Sequence, residues 1–371
     1  MRILTVNAGS SSLKLRLLDA DDALLGDVEL AAEHGRAEAG ALRDALARMD
    51  GADAVAHRVV HGGTRFTGPV QLDDEVVTAL EALTPLAPLH QPAALDAMSA
   101  VAREMPALPA VACLDTAFHS QMPPAAAAYA LPPEWVERHG LRRFGFHGLS
   151  HAYASRRAAE LIGRPLEELR IVTCHLGAGA SLAAIDGGRS VDTTMGFTPV
   201  EGLVMATRSG TVDPDVPLHL VLRHGVPAAE VERALNEDSG LRALAGTGDM
   251  REVEAAAGRG DEGAALALAV HDHRLAAAVA AMAAALGGLD ALVFTGGVGE
   301  GSGRTRAEAA RRLAFLGVAV DPAADPGEGD ADLSATDARV RTMVVRARED
   351  LVIARAAREV IGMDDSEEAR R

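Results

Sequence analysis

ILTVNAGSSSLKLRLLD (residues 3–19) and IVTCHLGAGASLAAIDGG (residues 171–188) follow one plan: an apolar run, a turn of small residues, Ser-Leu, a second run and an aspartate. The copies lie too far apart for a solenoid repeat and at a separation that suits two related domains. A third glycine-rich turn, FTGGVGEGSG (294–303), follows another apolar run and opens a helix-like stretch. Such turns let backbone N–H groups approach an anion, and a helix start adds a favourable dipole. Two at matching places, with a third at a strand–helix junction, predict phosphates held between two domains.

The rest of the chain fits that plan. Apolar β-rich runs recur at AVAHRVV (54–60), AVACLD (110–115), ALVFTGG (291–297) and VRTMVVRA (340–347). Alanine- and leucine-rich stretches with helical spacing fill 151–163, 228–235, 262–286 and 304–316. Strands alternating with helices over 371 residues predict an α/β chain of two domains. The net charge of −17 leaves no basic stripe for counterion release, which argues against a nucleic-acid partner. It also repels small anions at long range, so a site for them must carry its own cations. Cys113 and Cys174 make neither a disulfide framework nor a metal set. MRILTVNAGSS lacks the apolar core of a signal peptide. The apolar tract 275–294 is broken by Gly287, Gly288 and Asp290, so it reads as a packed helix entering a strand, with no membrane partner. A soluble, cytoplasmic protein is expected.

Lys14 is the only lysine; every other basic side chain apart from histidine is arginine. In NAGSSSLK (7–14) Gly9 permits a tight turn, Ser10, Ser11 and Ser12 offer hydroxyls, and Lys14 offers a point charge for phosphate oxygens. The spacing is not that of a Walker A loop, and an ordinary hairpin with a surface lysine is the competing reading. Four further stretches concentrate reactive side chains. These are AHRVVHGG (56–63) with Arg58 and His61, and CLDTAFH (113–119) with Asp115, Thr116 and His119. The others are RRFGFHGLSH (142–151) with His147 and His151, and MGFTPVEGLVMATRSG (195–210) with Arg208. Each has a plain alternative, such as a structural histidine, an arginine paired to a carboxylate or an aspartate cap. Arg142 and Arg143 read as surface charge. Together, two arginines, a histidine and a carboxylate beside phosphate-binding turns suit phosphoryl transfer, whose transition state spreads negative charge over equatorial oxygens.

NAGSSSLK, HRVVHGG, PLAPLHQP, DTAFH, GFHGLSH, CHLGAGAS, MGFTPVEGLVMATRSG and FTGGVGE, in that order, resemble the acetate kinase family. That family lies in the superfamily of acetate and sugar kinases, heat-shock ATPases and actin, and the likeness runs from residue 3 to about 355. The resemblance implies duplicated ribonuclease-H-like domains with ATP in a cleft between them, and a homodimer built through the second domain. Residues 1–119 plus 349–371 would form the N-terminal domain, and 120–348 the C-terminal, nucleotide-binding one. It implies reversible transfer of the ATP γ-phosphoryl group to acetate, giving acetyl phosphate and ADP by direct in-line displacement. Arg58 and Arg208 would bind the carboxylate and the phosphoryl group, His147 would stabilise the planar transition state, and Asp115 would orient the attacking group. Asn7 and Glu349 would arrange Mg²⁺ (or Mn²⁺) through its water shell. Ser10, Ser12 and Lys14 would line the phosphate side, with His90 and His175 nearby. Val60, Leu89, Phe146 and Pro199 would wall the acyl methyl group. The nucleotide would meet His175, Leu176, Gly177, Ala178, Gly179, Asp249, Met250, Arg251, Gly297, Val298, Gly299, Glu300 and Gly301.

Three departures from the family pattern are visible. The second hairpin has Gly177-Ala178-Gly179 where the family carries an asparagine, Glu300 is followed by Gly301 instead of asparagine, and Gln91 replaces the asparagine of an HNP triplet. Two amides are thus missing on the nucleotide side, each worth about 1 kcal/mol net as a hydrogen bond. Propionate kinase, an acyl kinase with a changed phosphoryl donor, and a catalytically idle nucleotide-binding protein are the alternatives to be weighed.

Overall fold

The computed structural model describes residues 1–368 except Ser10, Ser11, His34, Gly35 and Leu89. Two expected site residues, Ser10 and Leu89, therefore lie outside the described residues. The chain is α/β and divides into two compact units. One comprises Met1–Ser120, Phe146–Tyr153 and Arg348–Arg371; the other comprises Gln121–Gly145 and Ala154–Ala347. The expected division left Phe146–Tyr153 in the second domain. The segment groups instead with the first unit, because the Gly148 N–H donates to the Asp115 carbonyl at 3.0 Å and the Phe146 carbonyl meets the His119 ring at 3.0 Å.

The first unit is built on a sheet of β1 (Ile3–Ala8), β2 (Ser12–Leu18), β3 (Leu24–Glu33), β4 (Arg36–Ala37), β5 (Ala54–Val59), β6 (Val70–Gln71) and β7 (Ala110–Leu114), in the order β4-β3-β2-β1-β5-β7-β6. β1, β2 and β3 form an antiparallel meander, and β5 and β7 continue it in parallel with β1. Period-2 alternation sorts the side chains onto two buried faces. Leu4, Val6, Leu13, Leu15 and Leu17 pack with Leu42 and Leu46 of the helix Ala39–Ala47. Ile3, Ala54, Ala56 and Val111 on the other face pack with Leu351, Ile353, Ala354 and Ala357 of the helix Glu349–Glu368. The alanines on both sides let this helix lie close to the sheet. Its first residue, Glu349, thereby falls at the ends of the parallel strands.

The second unit repeats the arrangement with β8 (Arg170–Leu176), β9 (Ala180–Asp186), β10 (Arg189–Thr193), β11 (Ala291–Thr295), β12 (Ala331–Asp332) and β13 (Arg341–Val344), in the order β10-β9-β8-β11-β13-β12. The five strands β10-β9-β8-β11-β13 match β3-β2-β1-β5-β7 in order and direction. The two hairpins singled out in the sequence are β1–β2 and β8–β9. The long apolar tract is the end of a helix, Glu262–Ala285, followed by β11. That helix is long and apolar enough to cross a membrane, yet it buries Ala264, Leu268, Leu275, Val279 and Met282 against its own unit. Cys113 and Cys174 are free and buried, and burial pushes the Cys113 thiol up to about 12.

Ile353 is fully buried between the C-terminal helix and the first sheet. Ile353→Ala should lower the unfolding free energy by about 2–5 kcal/mol. The loss would be read as a fall in the urea midpoint at an unchanged slope.

Candidate active site

A polar row crosses the first sheet where the parallel strands end. Antiparallel register sets Glu29 of β3 opposite Lys14 of β2, and Lys14 opposite Asn7 of β1. Arg58 stands at the end of β5, and Asp115 directly follows β7. The Arg58 guanidinium donates from Nε to Asp115 Oδ1 (3.1 Å), from Nη2 to Asp115 Oδ2 (2.6 Å) and from Nη1 to Asn7 Oδ1 (3.1 Å). Asn7 Nδ2 donates to Glu349 Oε2 at 3.0 Å, and that oxygen lies 3.7 Å from Arg58 Nε. Four side chains from three strand ends and one helix start are thus a single connected cluster. These bonds use three of the five guanidinium N–H donors. Among the described residues, one N–H on each terminal nitrogen is left over for an anion.

Burial dominates the electrostatics here. The Asp115 side chain is 1% exposed and that of Arg58 16%. Burial alone would lower the Arg58 pKa, but the Asp115 and Glu349 carboxylates outweigh it and hold the guanidinium above its ordinary value. Burial pushes the Asp115 carboxyl upward, Arg58 pulls it back, and Glu349 adds to the upward push. The cluster is therefore a fixed cation braced by two carboxylates.

Lys14 faces Glu29 at 3.7 Å, and both side chains are about half exposed. A hydrogen bond from Ser12 holds the Glu29 carboxyl below its usual range, and Lys14 adds to this. The one lysine is thus paired across the strands, one strand away from Asn7. No group of three or more His, Cys, Asp or Glu side chains able to hold a metal occurs among the described residues. Glu349 beside Asn7 is the donor set suited to a hydrated Mg²⁺, which keeps most of its waters and takes only one or two carboxylates.

His147 enters this region on a left-handed turn, φ 56°, an uncommon conformation for a residue with a side chain. The next residue has to be glycine, because a Cβ on Gly148 would collide with the Asp115 carbonyl oxygen and press on Phe118. Phe146 is buried, its ring meeting His61 edge-on at 5.5 Å, and Val60 is buried directly after β5. Gln91 is fully buried: its Oε1 accepts from the His61 N–H, and its Nε2 donates to the His61 and Leu80 carbonyls, each at 3.2 Å. The departure at residue 91 is therefore a brace for the chain leaving β5. His90 directly precedes it, at the N-cap of the helix Gln91–Glu104.

Arg208 and Pro199 belong to the second unit, where Arg208 Nη1 donates to the Pro199 carbonyl at 3.3 Å. Burial pulls the Arg208 pKa below its ordinary value. The loop before Pro199 is held by residues that the sequence reading missed. Tyr129 Oη donates to Glu201 Oε2 (2.5 Å) and accepts from the Phe197 N–H (2.9 Å). Arg143 Nη2 donates to Glu201 Oε1 (2.6 Å), and its Nη1 to the Thr194 carbonyl (3.2 Å). Arg143 is thus no surface charge but a half-buried strut. Arg142, also half-buried, lies over the Phe144 ring. The only sequence signal was their position directly before FGFHG.

The three glycine turns differ in construction. In the first, the Gly9 N–H donates to the Ser12 carbonyl at 2.8 Å; in the second, the Gly177 N–H donates to the Gly179 carbonyl at 2.9 Å. The Ala178 carbonyl accepts from the Ala206 N–H, and His175 pairs with Thr295 across β8 and β11. In the third, Gly296 has φ 78° and lies against the Leu176 carbonyl, too close for a Cβ. Glu300, expected at the nucleotide, is engaged internally. Its Oε1 accepts from the Gly296 and Ala347 N–H groups (both 2.9 Å), and Oε2 pairs with Arg346 at 3.0 Å. Arg306 donates to the Gly299 and Glu300 carbonyls. An added Cβ would meet open space at Gly297 and at Gly301. Leu176, Gly177, Met250 and Val298 line one narrow crevice of about 10 Å³, room for a single water. Asp249 caps the helix Met250–Gly258 and accepts from Arg251, whose hydrogen bond holds the Asp249 carboxyl down at about 2. The Arg251 side chain is 90% exposed.

Residues 42–355, which carry Arg58, Asp115, His147, Arg208 and Glu349 but not the first hairpin with Asn7 and Lys14, match the Acetokinase family. The chain belongs to the acetokinase family. It is 45% identical to an acetate kinase of Deinococcus deserti over 400 aligned residues, covering 100% of both chains. Among solved structures it is similar to an acetate kinase of Porphyromonas gingivalis (37% identity, TM-score 0.87, 97% of this chain and 99% of that one). It is equally similar to a propionate kinase of Francisella tularensis (34% identity, TM-score 0.88, 96% and 98%). The likeness in fold thus extends over 96–97% of this acetokinase-family chain.

Gly148→Ala tests the tight approach to Asp115. It should lower stability by about 1–3 kcal/mol and reduce acyl kinase turnover by displacing His147. Thermal melts and steady-state kinetics on one preparation would read both.

Proposed function

We propose that this chain transfers the γ-phosphoryl group of ATP to acetate, reversibly, giving acetyl phosphate and ADP by direct in-line displacement. The observation that carries the proposal is the Arg58–Asp115–Asn7–Glu349 cluster in a chain of the acetokinase family. Arg58 would present its two remaining N–H groups to the acid, while Asp115 holds the fork in place. His147 and Arg208 would stabilise charge on the phosphoryl oxygens as they pass through the planar transition state. Mg²⁺, when bound beside Asn7 and Glu349, neutralises phosphate charge. Val60, Phe146 and Pro199 would wall the alkyl tail, and the Asp249–Arg251 pair, with its exposed guanidinium, would flank the adenosine. We further infer a homodimer through the second unit. In support, the helix Asp215–His224 buries none of its residues and exposes Val216, Leu218 and Leu222. Two free, buried cysteines suit the cytoplasm.

Propionate is the second acid to test, because one methylene in an apolar pocket discriminates by only about 1–3 kcal/mol. The presence of Arg58, Asp115, His147, Arg208 and Glu349 together argues against an idle nucleotide-binding protein. The deciding experiment is an acyl-hydroxamate assay with Mg²⁺, hydroxylamine and acetate, propionate or butyrate. ATP, other nucleotides and pyrophosphate would serve as donors. Hydroxamate with ATP and acetate is the expected result; no product with any pairing would overturn the proposal.

Two variants separate the roles. Arg208→Leu should lower kcat by about 10³-fold while circular dichroism stays that of the parent; simple aggregation would make Arg208 structural. Gly301→Asn restores the family's amide at a position with open space. It should lower KM for ATP a few-fold, in keeping with one hydrogen bond of about 1 kcal/mol, and leave KM for acetate unchanged.

A further inference from the structure

The segment after β7 does more than supply Asp115. It turns at once through Ala117–His119, so the Asp115 carbonyl and the His119 ring both reach the Phe146–Gly148 turn. One end of that turn is held by the Gly148 N–H on the Asp115 carbonyl, 3.0 Å. The other is held by His119 Nε2 on the Phe146 carbonyl, also 3.0 Å. A carbonyl only accepts, so Nε2 carries the hydrogen and the tautomer is fixed. His119 and Phe146 are essentially unexposed, so water cannot replace this bond. The ring is wedged edge-on between Phe118 (5.5 Å) and His151 (5.7 Å), and His151 follows His147 by one helical turn. Between the two clamped positions sits His147 at φ 56°, a left-handed conformation that a residue with a side chain adopts only when its surroundings hold it there.

We propose that His119 is the positioning residue for His147: its Nε2–H grips the Phe146 carbonyl and, with the Asp115 carbonyl on Gly148, holds the left-handed turn that presents the His147 ring. The proposal rests on the phosphoryl-transfer role given to His147 above. Because Asp115 and His119 share one short segment, the acid-orienting carboxylate and the histidine are set by the same five residues. Burial pulls the His119 pKa down to about 4, so the donor stays neutral through the working range.

The test uses ring-preserving and donor-preserving variants. His119→Phe keeps the ring packing and removes the donor; it should lower kcat by about 10²-fold, the cost of misplacing a reacting group by an ångström. KM for acetate and ATP should stay within about twofold. His119→Gln, whose amide nitrogen reaches the Nε2 position, should recover most of the turnover. On a His147→Ala background His119→Phe should cost nothing further, since its effect passes through a ring no longer there. Unchanged kcat in His119→Phe, or an equal loss on both backgrounds, would overturn the clamp while leaving the role of His147 intact. Wild-type turnover in His147→Ala would instead remove that role, and the clamp's catalytic meaning with it. Should His119→Phe fail to fold, long-range ¹H–¹⁵N spectra of the parent protein decide: the Nε2–H tautomer is expected, and the Nδ1–H tautomer refutes the clamp.

Discussion

Burying the Arg58 guanidinium against the Asp115 carboxylate removes two full charges from water, and the first unit is arranged to make that tolerable. The pair is bidentate, Asn7 takes a further guanidinium N–H, and Glu349 stands within 3.7 Å. Breaking such a pair from one side leaves an uncompensated buried charge and typically costs about 3–5 kcal/mol. The parallel pairing of β1, β5 and β7 sets the first three side chains at neighbouring strand ends. The fourth comes from the helix Glu349–Glu368, which is seated by Ile353, Ala354 and Ala357 on the alanines of the sheet. Core packing at one end of that helix therefore decides the position of a carboxylate at the other.

The same five-strand order is put to two uses. In the first unit the strand ends carry ionic side chains that brace one another. In the second they carry glycine turns whose backbone is pinned from behind: Glu300 and Arg306 hold the third turn, and Gly296 rests on the Leu176 carbonyl. A carboxylate that looked like a ligand group in the sequence proves to be a fastener. Its two oxygens are taken by backbone N–H groups and by Arg346, and the surface left open at that turn is glycine.

How much of this was legible follows from the range of the interactions. The duplicated hairpins could be read because alternation and turn composition are local. So could the helix from 262, whose small side chains mark a packed interior. Asn7, Arg58, Asp115 and Glu349 could be named from motif order, but not their mutual bonds, which join positions 51, 57 and 342 residues apart. Arg143 was misread because a charged residue outside a motif defaults to the surface; its partner Glu201 is 58 residues away. Gln91 stood out in the sequence only as a departure from an HNP triplet, and it is a buried brace for His61. Phe146–Tyr153 was assigned to the wrong unit because nothing local announces that Gly148 touches Asp115.

The one lysine has a consequence of a different kind. Arginine does not lose its proton and is a poor nucleophile, so the side-chain amine chemistry of the chain reduces to Lys14, a half-exposed group one strand from Asn7. With the N-terminus blocked, an amine-directed fluorophore, spin label or cross-linker would attach at a single point, with no substitution needed to make it unique. The molecule thus carries its own site-specific handle beside the cluster it would report on.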